Sequence, residues 1–317
     1  MNSPEPLPHP DFASVAVPGV MISNAWPQSR LENGATLEAT RRVREQHPFF
    51  EAFQTVDIPY ADERQAFRKL IGDQGHPHTY TLTRVFAEGN LNLSSLDPDL
   101  RKKTWETVIT EMDHAAEAGA QSVTVVSGNQ PDDPALRSKA LEGLEESMEQ
   151  ICLAASRRDD MGVVIEPLDY FAHKKATLGS TGEAIEICRR LAGSNLKLVL
   201  CIDTAHLILN REDVVAAVEK ARPYMVDFHF CNAVTDTGHP LFGDRHLPFG
   251  APGEVDVDVI AGIMAAFRRS GFLSADNRPR IFCEVMTLGD TDPMETVAHC
   301  HNSLEQAWAK VAGSQSS

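Results

Sequence analysis

Glu166, Asp203, His229 and Glu284 each close a short run of apolar residues, GVVI, LVLCI, MVDF and RIFC respectively. Three carboxylates and one imidazole make a mixed oxygen and nitrogen donor set. It suits one divalent cation, Mn2+ first, with Mg2+, Co2+ or Zn2+ as alternatives. Any one of these residues alone reads equally well as a capping or ion-paired side chain. Four of them at the ends of four successive runs do not. Without a cation, three converging carboxylates repel and raise one another's pKa values. His206 lies three residues past Asp203 in IDTAH, and Asp244, Arg245 and His246 open the loop GDRHLPFGAPGEVD. An arginine there suits an anionic or polyhydroxylated ligand, and it reads alternatively as a surface partner of Asp244.

The elements that must position these residues follow from hydrophobic period. Strands are expected at VMISNAW from Val20, QTVDI from Gln54, TYTLTRV from Thr79 and QSVTVVS from Gln121. The series continues with MGVVIEP from Met161, LKLVLCID from Leu196, MVDFHFC from Met225 and RIFCEVM from Arg280. Helical period fills the intervals. One stretch places Trp105, Val108, Ile109 and Met112 on one face, and another repeats Leu136, Leu141, Leu144, Met148 and Ile151. A third opens on Ser180 or Thr181 as N-cap, with a glutamate soon after, and stops at Gly193. Eight strand–helix units imply a closed α/β fold, the (β/α)8 TIM barrel, whose C-terminal strand ends share one mouth. An open doubly wound sheet would need a glycine-rich phosphate loop after its first strand, and SNAWPQSRLENG is not one. Residues 1–18 read as a flexible N-terminal arm and 19–317 as a single catalytic domain.

Bulk properties narrow the partners. The net charge is -16 over 317 residues with no strong basic patch, which argues against nucleic acid. Six cysteines occur with no C-x-x-C spacing, most of them inside apolar runs, a pattern of buried free thiols in a reducing compartment. No signal peptide and no membrane-length apolar stretch is visible, so a soluble cytoplasmic protein is expected.

The segments IEPLDYF, IDTAHLILNRED, DRHLPFGAPGEVD and FCEVM resemble those of the xylose-isomerase-like superfamily, most closely its ketose 3-epimerases and hydroxypyruvate isomerases. The resemblance is clearest from Met161 to Met286. It implies that Glu166, Asp203, His229 and Glu284 bind one metal, and that His206, Arg245 and the neighbouring His246 contact a sugar or polyol. It further implies that Glu166 and Glu284 move a proton at the carbon beside a carbonyl, through a metal-stabilised enediolate, and that the chain forms a homo-oligomer. The epimerases' second glutamate aligns with Ala172 and their arginine with Tyr170. His173, Lys174 and Lys175 replace those contacts with positive charge or stay solvated. Dehydratases, C-glycoside-cleaving enzymes and decarboxylases share this barrel, so a metal-dependent lyase is the alternative. A sugar-binding barrel without catalysis is a further one, disfavoured by the retained glutamate pair. The endonuclease IV family shares the barrel and an Asp-Arg-His motif, but its trinuclear zinc site needs histidines that VDIPYADE and VVSGNQPDD lack.

Overall fold

The structure, a computed structural model, describes residues 11–158 and 161–313. Its strands are β1 (Val17–Met21), β2 (Ala52–Val56), β3 (His78–Thr81), β4 (Ser122–Val126), β5 (Gly162–Glu166), β6 (Val199–Asp203), β7 (Met225–Phe230), β8 (Asn232–Val234), β9 (Gly243–Leu247) and β10 (Arg280–Cys283). All but β8 and β9 pair in parallel and close into a barrel, in the order β1-β10-β7-β6-β5-β4-β3-β2. The first helices are α1 (Phe12–Val15), α2 (Ile22–Ala25), α3 (Ala35–Gln46), α4 (Ala61–Gly72), α5 (Thr83–Gly89) and α6 (Pro98–Glu117). Then come α7 (Arg137–Ala155), α8 (Thr181–Gly193), α9 (Thr204–Leu209), α10 (Val214–Ala221), α11 (Val257–Arg269) and α12 (Pro293–Gly313). The expected (β/α)8 barrel is the observed one.

Alternation along each strand separates two environments. Ile165, Ile202, Phe228 and Ile281 are buried, and Phe228 meets Phe267 of α11 edge-on at 5.0 Å. Their neighbours Glu166, Asp203, His229 and Arg280 take the opposite, polar face. Low in the barrel, Arg280 pairs with Asp227 at 2.6 Å, its register partner on β7, and Thr79 on β3 reaches the same carboxylate at 3.4 Å. Gly19 has a steric reason: a Cβ there would lie 2.4 Å from the Phe282 ring. The α8 N-terminus is a capping box, in which the Ser180 hydroxyl accepts from the Glu183 amide and the Glu183 carboxylate accepts from the Ser180 amide.

Four expectations change. The expected strands VMISNAW and TYTLTRV are shorter than read: β1 ends at Met21 and β3 at Thr81, and their later residues form α2 and the start of α5. Residues 1–10 of the arm lie outside the described residues, and 11–18 are built into the body. Phe12 packs against Trp308 with ring centroids 5.6 Å apart and the rings tilted at 57°, and Val17 and Pro18 already belong to β1. Leu136 is not on the buried face of α7 but exposed in the 3-10 turn before it, while Leu144, Met148 and Ile151 are buried as expected. The loop after β7 contains the antiparallel pair β8–β9. The β9 strand, Gly-Asp-Arg-His-Leu, has no β-branched residue and the pair has only three paired positions, so period alone does not reveal it.

Candidate metal centre and cavity

The barrel brings the four predicted ligands together. Glu166 ends β5, Asp203 ends β6, His229 is the penultimate residue of β7 and Glu284 follows β10. One donor atom from each lies within 4.8 Å of all the others, and all four residues are buried. His229 Nδ1 is 2.7 Å from Glu284 Oε2 and 3.9 Å from Glu166 Oε1. Asp203 also caps α9: its Oδ1 accepts the amides of Ala205 at 2.7 Å and His206 at 3.2 Å. Its Oδ2 is buried without a hydrogen-bond donor. A buried carboxylate oxygen left bare is costly unless a cation meets it. The orphaned oxygen, the donor set and the spacing all fit one divalent ion.

Electrostatics tell the same story. Burial, then the Glu284 charge, pushes Glu166 up to about 7. Burial likewise pushes Asp203 up to about 6, against the pull of His206. Burial alone would raise Glu284 too, but the rings of His246 and His229 override it and hold that carboxyl well below its usual range. His229 is raised to about 9: burial opposes the charge, and the Glu284 hydrogen bond more than offsets it. These carboxylates are thus held partly by protons and imidazolium rings. A divalent cation held by these four residues would take over that task.

A second ring of residues surrounds the four. Asp169, fully buried on the turn after β5, accepts the amides of His173 and of Lys174 (2.8 Å) through Oδ1, and its Oδ2 is 3.5 Å from His206 Nδ1. It fixes both the His-Lys-Lys turn and the His206 ring. Asp244 of β9 gathers the positive groups: Lys174 Nζ at 3.0 Å, His246 Nδ1 at 3.6 Å and His206 Nε2 at 3.9 Å. Burial opposes its ionisation, yet these three neighbours hold Asp244 far below the usual carboxylate range. His246 Nε2 is 2.9 Å from Glu284 Oε1, and Asn24 donates to the same oxygen at 3.2 Å. His246 has φ +54°, a conformation uncommon outside glycine, and its carbonyl accepts the Met286 amide at 2.7 Å, which ties β9 to the segment after β10.

His206 and His246, expected as substrate contacts, both line the cavity. Arg245 does not. Residues 244 and 246 share one face of β9, so Arg245 projects from the other and is exposed. Asp244 takes Lys174, not Arg245, as its partner. The reading of His173–Lys175 as a solvated pair of lysines fails for Lys174, which lines the cavity, and holds for Lys175, which is exposed. Sequence reasoning also missed Asp169 and Asn24. An aspartate three residues past a predicted ligand, and an asparagine three residues past the last residue of the first strand, were the available signals.

The centre opens into a cleft of about 630 Å3. One half is lined by Glu166, Lys174, His206, Asp244, His246 and Glu284, and the other by residues that follow β2, β3 and β4. Among the described residues lining that second half there is no histidine and no carboxylate.

A family model described as xylose isomerase-like TIM barrel matches residues 47–286. A protein of Thermoplasma acidophilum named "Probable endonuclease 4" is 26% identical over 208 residues, 63% of this chain and 66% of its own. The chain thus spans just under two thirds of that relative's length. The solved structure of an L-ribulose 3-epimerase superposes with a TM-score of 0.68 at 17% identity, covering 94% of this chain and 97% of that one. A D-tagatose 3-epimerase-like protein superposes with a TM-score of 0.67 at 16% identity, covering 93% and 99%. At these identities the structures share the fold. Among the described residues no helix is long and apolar enough to cross a membrane.

Proposed function

The chain belongs to the xylose isomerase-like TIM barrel family, and from that premise we propose that it is a divalent-metal-dependent sugar isomerase or epimerase. The observation that carries this reading is the cluster of Glu166, Asp203, His229 and Glu284, their donor atoms within 4.8 Å of one another at the base of a cleft. Glu166, Asp203, His229 and Glu284 would hold the ion, with Mn2+ the first candidate. When bound, it supplies Lewis-acid stabilisation of the negative charge that develops on the substrate's carbonyl and neighbouring hydroxyl oxygens.

The residues of the chain do the rest. Glu166 and Glu284 stand on strands separated by β6 and β7 in the barrel order, so they flank the reacting carbon from two sides. One removes the proton beside the carbonyl and the other returns a proton to the opposite face or the adjacent carbon. His206 and Lys174 offer N–H donors to substrate hydroxyls. Asp169 and Asp244 keep both groups aimed into the cleft. His229 and His246 hold Glu284 in place through its two oxygens. Ligands that resemble sugars in hydroxyl density match this supply of fixed donors and acceptors.

The test is solvent-deuterium incorporation into a ketose by the Mn2+-loaded protein, followed by NMR. Exchange at the carbon beside the carbonyl is expected, and Glu284→Gln should reduce it at least about a hundredfold with the fold intact. Full activity in Glu284→Gln, or turnover without exchange at that carbon, sinks the proton-transfer scheme. A lyase is the second reading, favoured by His246, which lines the cleft and, with its Nε2 2.9 Å from Glu284 Oε1, could pass a proton through that carboxylate to a departing oxygen. Product mass separates the two, because isomerisation conserves it.

A further inference from the structure

The half of the cleft over β2–β4 is larger than the proposed chemistry needs. A hexose occupies about 200 Å3 at the packing density of organic solids. The cleft has about 630 Å3, so one hexose at the metal ligands leaves roughly two thirds of it to water. Its spare half has a definite character. Phe86 and Leu91 are buried at 4% and 7% exposure and, with Leu100, form an apolar floor. Asn90 and Asn129 are exposed at its rim, and their side-chain amides make no hydrogen bond among the described residues.

The wall is built in advance. The Leu91 amide donates to Phe86 at 2.9 Å, closing the end of α5. Asn92 donates to the Asn129 carbonyl at 2.9 Å and accepts from Ser94, which in turn bonds Thr177 at 2.6 Å. Charge is missing from the offer. The cation lining this half is Arg84, and it is already engaged with Glu88 at 2.7 Å and Asp57 at 3.4 Å. A phosphate would find there no cation that is not already ion-paired, whereas a neutral ring finds an apolar floor and free amides.

We propose that this half is a subsite for a second unit, and that the substrate is an uncharged glycoside: a carbonyl-bearing sugar joined to another sugar or an apolar aglycone. The inference rests on the reading that the sugar carbonyl reacts at the Glu166–Glu284 cluster. It is tested at Ala87, an exposed residue of α5 that lines the spare half and takes no part in the chemistry. Ala87→Trp fills the subsite without disturbing a buried position.

Deuterium exchange by the Mn2+-loaded protein is compared on a keto-glucoside with a phenyl aglycone, on a free ketohexose and on a ketohexose phosphate. Direct binding of the same three ligands is measured by calorimetry. The wild type should prefer the keto-glucoside at least tenfold in kcat/KM and in affinity. Ala87→Trp should remove that preference, mainly through KM, and leave the free ketohexose within twofold. Equal or better exchange and binding of the free ketohexose or its phosphate overturns the subsite while leaving the isomerase reading intact. An equal effect of Ala87→Trp on all three ligands overturns it as well. If no sugar exchanges, the isomerase reading fails, and calorimetry still decides whether the glycoside is the preferred ligand.

Discussion

Replacing Lys174 by methionine removes one ammonium group and keeps most of the packing of its stem. The Nζ atom lies 3.0 Å from Asp244, whose side chain is 1% exposed. At an effective dielectric constant of about 20, that separation corresponds to roughly 5 kcal/mol of gross attraction. Desolvation of the pair offsets much of it, so the net loss is nearer the 1.5–3 kcal/mol typical of a charged hydrogen bond. In Lys174→Met, Asp244 keeps His246 at 3.6 Å, His206 at 3.9 Å and the Cys231 thiol at 3.5 Å, and the proposed donor to the substrate is lost. At about 1.4 kcal/mol per factor of ten, kcat/KM should fall roughly 10- to 100-fold. Arg245→Met changes an exposed residue on the far face of β9 and should stay within about twofold. Deuterium exchange rates measured by NMR on the two variants decide the matter. A large loss in Arg245→Met with Lys174→Met near wild type would show that the cation meeting the substrate had been misassigned.

Further outcomes follow from the same geometry. Asp203→Asn keeps the cap on α9, because asparagine caps as well as aspartate, but removes the charge on the unpartnered Oδ2. Calorimetry should find Mn2+ affinity at least about 100-fold weaker, while the metal-free protein melts at the same temperature or higher. Saturating Mn2+ at about 100 times its Kd should stabilise the wild type by about 2.7 kcal/mol, read as a rise in Tm that Asp203→Asn lacks at the same concentration. Arg280→Met strands Asp227, 1% exposed, with one 3.4 Å contact from Thr79. Urea unfolding should show a loss of about 3–5 kcal/mol, largely recovered in the Asp227→Leu/Arg280→Met double variant.

The barrel was legible because its signals are local and repeated. Each of the eight runs carries its own period, and a ligand at a strand end sits where barrel geometry converges. Glu166, Asp203, His229 and Glu284 could therefore be read in one dimension. The surrounding residues could not, since their roles depend on which way a short irregular segment turns. Arg245 and His246 are adjacent in sequence, and only the formation of β9 sends one out and the other in. Lys174 enters the cleft because Asp169 accepts two successive amides of its turn, a contact that composition does not announce. Asn24 reaches Glu284 across a separation of 260 residues, from the start of the barrel to its end.

A charge count ties the centre to the substrate class. Glu166, Asp169, Asp203, Asp244 and Glu284 place five buried carboxylates around one cleft. Lys174 offsets one of them and a divalent cation offsets two, while His229 must be neutral to donate its ring nitrogen to a metal. The two remaining charges face His206, which its aspartate neighbours raise against burial to about 10, and His246, raised in the same way to about 9. If both rings kept their charge beside a bound cation, the site would be neutral before any ligand arrives. An anionic sugar would unbalance it in a low-dielectric cleft, whereas a neutral glycoside leaves every buried charge matched. Among the described residues no unpaired cation lines the cleft over β2–β4, a feature separate from the balance at the proposed metal ligands, and on the proposed reading both would select against a phosphorylated substrate.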